Sequence, residues 1–174
     1  MMRRILAALA TSLLIGATVA TPAPATSAPA WQNAPTSWTN PNGGLPRITA
    51  LRYATHPGFD RVVIDVRGKL PSYRTHYGAR FYYDGSGALV PIRGGLGITF
   101  NPAYAHRNDG TSTYTGPRIA RPGFRTLKAI AFTGDYEGYV NFAFGLSCDG
   151  STRAPYRVMR LHEPQRIVID FKHC

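Results

Sequence analysis

A six-residue phrase occurs twice in this chain. Arg61-Val62-Val63-Ile64-Asp65-Val66 returns as Arg166-Ile167-Val168-Ile169-Asp170-Phe171. In both copies every second residue is large and apolar: Val62, Ile64 and Val66, then Ile167, Ile169 and Phe171. The other face carries Arg, Val and Asp each time. A period of two with one wholly apolar face is the pattern of a half-buried strand. Two equivalent strands near the two ends of one domain predict an all-β fold, a sandwich of two small pseudo-symmetric sheets with long loops. Antiparallel pairing of the copies with Val63 opposite Val168 sets Arg61 against Asp170 and Asp65 against Arg166. Placement in opposed sheets leaves each Asp to find another partner. Both arrangements are compatible with the sequence.

The remainder of the chain agrees with many short strands separated by turns. Strands are expected at Arg47 to Tyr53, 61–67, Ala88 to Ile92, Leu96 to Phe100, Leu127 to Thr133, and then 138–146, 155–162 and 165–172. His56-Pro57-Gly58-Phe59-Asp60 and Asp84-Gly85-Ser86-Gly87 supply turns. Residues 72–83 form an aromatic-rich extended stretch. Residues 101–126 show no periodic segment beyond a short turn near Ala103 to His106. Loops of that length are uncommon in compact domains and often functional.

The N-terminus reads as an export signal over residues 1–25. Arg3 and Arg4 precede an apolar run from Ile5 to Val19, and small residues follow. That run is short of the roughly 20 residues a comfortable membrane span needs, and no other segment is long and apolar enough. The Pro/Ala/Ser/Asn-rich stretch 26–46 reads as a linker, with Trp31 and Trp38 packing back on a domain at 47–174. The expected location is secreted or at the cell envelope.

Export makes a disulfide the default for the two cysteines, Cys148 and Cys174. If the last three strands form an up-down-up meander, the first and third end at the same edge. Both cysteines lie just past those ends.

The chain is basic, with 20 Lys plus Arg against 9 acids. Without Arg3 and Arg4 the balance is 18 against 9, a net of +9. Arginine dominates and favours bidentate contact with carboxylate and phosphate. Outside a cell the acidic partners are wall polymers, acidic glycans and lipid head groups. Export argues against nucleic acid.

The repeat belongs to an ordered set. His56-Pro57-Gly58-Phe59-Asp60-Arg61-Val62-Val63-Ile64-Asp65 is followed by Tyr114-Thr115-Gly116-Pro117. Gly134-Asp135-Tyr136-Glu137-Gly138, Tyr156-Arg157-Val158 and the second copy come after. This order resembles the AMIN-like domain of exported actinobacterial proteins, a relative of the amidase N-terminal domain. The resemblance covers nearly all of 47–172. It implies a β-sandwich of two related sheets and a non-catalytic role at the cell envelope, with peptidoglycan as ligand. No amidase or other catalytic domain follows in this chain, so the module is expected to act alone.

Catalytic signatures are weak. Gly85-Ser86-Gly87 falls short of a nucleophile elbow. His162-Glu163 opens like a zinc-protease motif, but Pro164 follows and no second histidine stands four residues on. His56, His76, His106, His162 and His173 are scattered, so no metal or cofactor is expected. Asp135 and Glu137 suit a carboxylate pair for glycan cleavage, though their turn context favours structural hydrogen bonding. The expected ligand residues are Tyr104, Arg107, Tyr114, Arg118, Arg121 and Arg125, in and beside a stretch from Gly110 to Gly134 without Asp or Glu. Guanidinium meets carboxylate or phosphate, and a ring stacks on a sugar face. A second acid-free stretch, Val66 to Tyr83, carries Arg67, Lys69, Arg74 and Arg80. The function expected is a binding module for peptidoglycan or an anionic wall polymer. The alternatives are an envelope protein-interaction module and a secreted glycan hydrolase.

Overall fold

The structure is a computed structural model and describes residues 28–174. The expected export signal therefore lies outside the described residues. Ten strands form, and no helix forms among the described residues. They are β1 (Ser37–Trp38), β2 (Arg47–His56), β3 (Phe59–Arg67), β4 (Tyr73–Gly78) and β5 (Gly95–Phe100). After them come β6 (Ile119–Ala120), β7 (Leu127–Tyr136), β8 (Tyr139–Leu146), β9 (Tyr156–His162) and β10 (Gln165–Lys172). Two antiparallel sheets result, one in the order β1-β4-β5-β8-β7-β6 and one in the order β2-β3-β10-β9. The chain is an all-β sandwich with sheets of six and four strands.

The two copies of the repeat lie side by side in the smaller sheet. Val63 pairs with Val168, Arg61 with Asp170 and Asp65 with Arg166 in backbone register. Val62, Ile64, Ile167, Ile169 and Phe171 are fully buried, as period-two burial requires. They meet Leu96, Ile98, Phe100, Phe142 and Phe144 from the larger sheet in one core. Phe144 and Phe171 meet across the sheets with ring centres 5.4 Å apart.

The side chains follow the register at one end only. Arg61 donates two hydrogen bonds to Asp170, at 2.6 and 2.9 Å. At the other end Asp65 is taken by Arg52 of β2, at 2.6 and 2.9 Å, while Arg166 turns to the carbonyl of Pro164. The hairpin register sets Ala50 beside Asp65, two residues from Arg52, and a bulge between Ile48 and Ala50 then shifts Arg47 and Ile48 against β3.

Three sequence expectations change form. The last three strands exist within a residue or two of their expected bounds, but they are not one meander. β8 belongs to the larger sheet, and the chain then crosses to β9 and β10 in the smaller one. Cys148 and Cys174 are nonetheless disulfide-bonded, with Cα atoms 5.4 Å apart, so the bridge ties one sheet to the other. Ala88 to Ile92 forms no strand, only an isolated bridge between Tyr82 and Leu89. The segment instead lies as a lid on the outer face of the larger sheet, where Val90 and Phe81 bury themselves against Ala131 and Ala143. Ala103 to His106 forms bridges rather than a helical turn: Arg47 pairs with Tyr104 and His106 with Ser112.

Residues 28–46 run along the sandwich. Gln32 pairs with Tyr156, and β1 extends the larger sheet beside β4. The fully buried Tyr156 bonds through its hydroxyl to the Ala34 carbonyl at 2.8 Å and to Thr75 Oγ1 at 2.6 Å. Trp31 packs 6.3 Å from Phe59, and Trp38 packs 6.2 Å from Tyr73.

The disulfide closes an interval of 26 residues. Chain-entropy arguments assign such a closure roughly 3–4 kcal/mol. The double change Cys148→Ser with Cys174→Ser is expected to lower the unfolding free energy by that amount in a urea titration. A loss under about 1 kcal/mol would contradict the cross-sheet role.

Candidate functional site: an arginine pocket

The site grows from a like-charge pair. Arg47 opens β2, Arg67 closes β3, and the antiparallel register sets them opposite each other. Like charges across a pair of strands repel, so the arrangement carries a cost unless an anion or another polar group relieves it. The relief available to Arg47 comes from the loop that follows β5. Arg47 Nε donates to the His106 carbonyl at 3.2 Å and its Nη2 donates to Asn108 Oδ1 at 3.0 Å. Both acceptors are neutral, so the positive charge remains. Neither Arg67 nor Arg107 makes a side-chain hydrogen bond or ion pair among the described residues.

That loop is held firmly. Tyr104 exchanges backbone hydrogen bonds with Pro46 and Ile48, at 3.0 and 2.8 Å. Thr113 Oγ1 donates to the Ile48 carbonyl at 2.9 Å, and Thr115 N donates to the Thr49 carbonyl at 2.9 Å. The long segment read from sequence as irregular thus covers the edge of β2. A turn at its tip brings Arg107 N to the Thr111 carbonyl at 2.8 Å. His106 Nδ1 meets Asp135 Oδ2 at 2.6 Å and pins the loop to β7.

The result is a shallow pocket of about 470 Å³ lined by Arg47, Arg67, Arg107, Asn108, Asp109 and Thr113. Three guanidinium groups face one carboxylate. Asp109 accepts from Thr111 N at 2.9 Å. The Thr111 backbone and hydroxyl hold its carboxyl below the ordinary value, so it stays ionised to lower pH. It serves its own turn, and the pocket keeps a net positive charge. Phosphate and carboxylate match this donor set, since guanidinium forks present paired N–H groups to planar or tetrahedral oxyanions.

The six ligand residues expected from sequence are dispersed. Arg107 lines the pocket. Tyr104 braces the loop and stands edge-on to His106, with ring centres 5.5 Å apart. Tyr114 belongs to the core margin, stacked on Phe132 at 4.8 Å and edge-on to Phe142; burial pushes its phenol up to about 12. Arg118 lies over the Tyr83 ring at 4.3 Å. Arg121 donates to the Pro91 carbonyl at 2.6 Å. Arg125 donates through Nε to the backbone oxygen of Cys174 at 2.8 Å. Sequence reasoning missed Arg47 as a site residue and did not join Arg67 to Arg107. The β2–β3 hairpin register together with the bulge between Ile48 and Ala50 places Arg47 opposite Arg67, and nothing in the sequence marks that bulge. Asp135 pairs with His106, while Glu137 stays exposed in the β7–β8 turn and takes no part in that pair.

The fold is an antiparallel β-sandwich with a cationic pocket at one loop end. Residues 46–173 match the AMIN-like domain, and the chain belongs to that family. No curated protein and no solved structure matches the chain. Among the described residues no helix is long and apolar enough to cross a membrane.

Proposed function

We propose that this protein is an exported, non-catalytic binding module of the bacterial cell envelope that attaches to peptidoglycan or an anionic wall polymer. The observation that carries the reading is the pocket of Arg47, Arg67 and Arg107. AMIN-like domains are associated with the cell wall, and such walls offer carboxylates and phosphates to which unpaired arginines bind bidentately. Arg118 and Arg121, on the lid side of the larger sheet, add positive field that steers the encounter.

Sedimentation with purified cell walls tests the reading. At low ionic strength the protein is expected to pellet with the walls. Changing Arg47, Arg67 and Arg107 together to Ala is expected to weaken binding about tenfold or more, since each change removes a charge from the contact. Absence of co-sedimentation at low salt would overturn it.

A second reading, a protein-interaction module, is favoured by the free edge of β9. Gln32 pairs with Tyr156, and beyond it a groove of about 610 Å³ runs between Val158–His162 and residues 28–37. An extended segment can add to such an edge through main-chain hydrogen bonds. Capture of an envelope protein that survives high salt supports this reading over the first.

A further inference from the structure

The outer face of the larger sheet holds a second pocket, about 240 Å³, whose polar groups have few partners in the fold. It is built by two glycines. Gly97 sits opposite His76 in the β4–β5 register, and a Cβ there would stand 2.4 Å from the imidazole. Gly134 lies beneath Asp84, whose carboxylate occupies the space a Cβ would need. Both side chains therefore lean over the sheet at these glycines while remaining open to solvent. Between them runs one row of the sheet, in which Thr99 of β5 pairs with Asn141 of β8 and Asn141 pairs with Gly134 of β7.

The hydrogen-bonding capacity of this pocket is mostly unspent. Asn141 Nδ2 donates to Asp84 Oδ2 at 2.7 Å and fixes the carboxylate in place. The backbone of Asp84 is anchored too, its N–H donating to the Thr133 carbonyl at 2.9 Å. Among the described residues, the second Asp84 oxygen, the hydroxyls of Thr99 and Thr133, the His76 ring and the Arg80 guanidinium take no hydrogen bond. Packing of His76 across the sheet, then the charge of Arg74, holds its imidazole below the ordinary value. At neutral pH the ring thus offers one donor and one acceptor. Tyr82, more than half exposed, stands at the rim.

Asp84 and Arg80 cancel in charge, so the pocket does not select an ion as the arginine pocket does. A fixed carboxylate, an amide, two hydroxyls, a neutral imidazole and a guanidinium mix donors and acceptors over a short span. Vicinal hydroxyl groups on a saturated ring match that mixture, because each hydroxyl both gives and accepts, and an exposed tyrosine ring covers a C–H face. The volume is below the usual range for drug-sized ligands and suits a single ring. We infer that the pocket bounded by His76, Arg80, Asp84, Thr99, Thr133 and Asn141 is a binding site for an uncharged pyranose unit of a glycan. It is separate from the arginine pocket and stands or falls without it.

The experiment is a two-dimensional amide NMR titration of the intact protein with the N-acetylglucosamine trisaccharide, with maltotriose and with D-alanine. One or both sugars are expected to bind at about millimolar affinity, with shifts centred on the Asn141 side-chain amide, Thr99 and Thr133, unchanged by 0.5 M salt (a roughly twentyfold rise over a low-salt buffer). Arg80→Ala and Asp84→Ala are each expected to weaken that binding roughly tenfold. Arg80 has no partner in the fold, so its variant keeps the wild-type melting temperature and its loss reports binding alone. Absence of shifts with both sugars overturns the inference, as does binding of the zwitterionic amino acid in their place. The Arg47/Arg67/Arg107 variant is expected to keep sugar binding. Cell-wall sedimentation without sugar binding defeats this site and leaves the arginine pocket standing, and the reverse pattern does the opposite.

Discussion

Asp170→Ala is expected to cost about 3–5 kcal/mol, because it strands two guanidinium groups over a buried position. Asp170 is fully buried on the outer face of the four-stranded sheet. Arg61 closes on it with two hydrogen bonds and Arg157 adds a third at 2.9 Å. Arg157 is itself covered, lying 4.3 Å from the Trp31 ring centre and 5.4 Å from that of Phe59. Arg157, covered by these rings, cannot swing freely into water when its carboxylate is removed. The hydrogen bond that Arg61 donates to Asp170 raises its guanidinium further above the ordinary range against the opposing effect of burial. Arg61→Ala should cost less, about 1–2 kcal/mol, since Arg61 is partly exposed and Arg157 remains to hold Asp170. Urea titrations of the two single variants and the double variant give the coupling directly. Losses that simply add, or an Asp170→Ala loss below about 1 kcal/mol, would contradict the pairing of the repeat strands as the sheet's electrostatic anchor.

Asp60→Ala is expected to follow closely, at about 3 kcal/mol. Asp60 is also fully buried. Its Oδ2 accepts from Thr126 N at 2.8 Å and Leu127 N at 2.9 Å, where β7 begins. Its Oδ1 accepts from Thr55 Oγ1 at 2.8 Å and meets His173 Nε2 at 2.9 Å. One carboxylate thus joins the β2–β3 hairpin, the first residue of β7 and the segment after β10, linking both sheets. Burial alone would raise its pKa. The hydrogen bonds from Leu127, His173, Thr126 and Thr55 together outweigh burial and set it below the ordinary value. A carboxyl depressed on folding contributes stability that is complete above its unfolded pKa of about 3.9. That contribution is lost as pH falls through the lower folded value. Wild-type stability should therefore fall with acid below about pH 4, and Asp60→Asn should remove part of that fall. An identical acid slope in the two proteins would contradict the assignment.

The sequence displayed the repeat, and the repeat carried more of the fold than any other feature. Alternation in 61–66 and 166–171 showed which residues turn inward. The symmetric Arg and Asp positions offered a register in which Arg61 meets Asp170. What could not be read was the other half of that offer. Asp65 went to Arg52, which stands two residues from its β2 neighbour Ala50, and an apolar pattern does not say which of two nearby arginines a carboxylate takes. Nothing in the sequence marked Asp60 and Asp170 as buried, because burial of a carboxylate depends on donors supplied from distant strands, here Arg157, Thr126 and Leu127. The same limit hid the arginine pocket. Arg107 was visible in a long basic loop, but its partners Arg47 and Arg67 are brought near only by the hairpin register and by the packing of that loop on β2. Arg118, Arg121 and Arg125 share a stretch of sequence with Arg107 yet diverge in space, because β6 and the turn before β7 carry them to other contacts. The small residues of the larger sheet, Gly97 and Gly134 among them, gave no period to read, although they decide where the lid and its polar side chains lie.

Affinity for purified cell walls, followed as a function of salt, is the most direct test of the envelope-binding account. A plot of log affinity against log salt concentration for the wild-type protein is expected to slope downward, because exposed charges more than a Debye length apart cease to attract. The Arg47/Arg67/Arg107→Ala variant should bind more weakly at low salt and show a shallower slope. Binding that ignores salt, or a variant that matches the wild type along the whole curve, would contradict attachment through the arginine pocket.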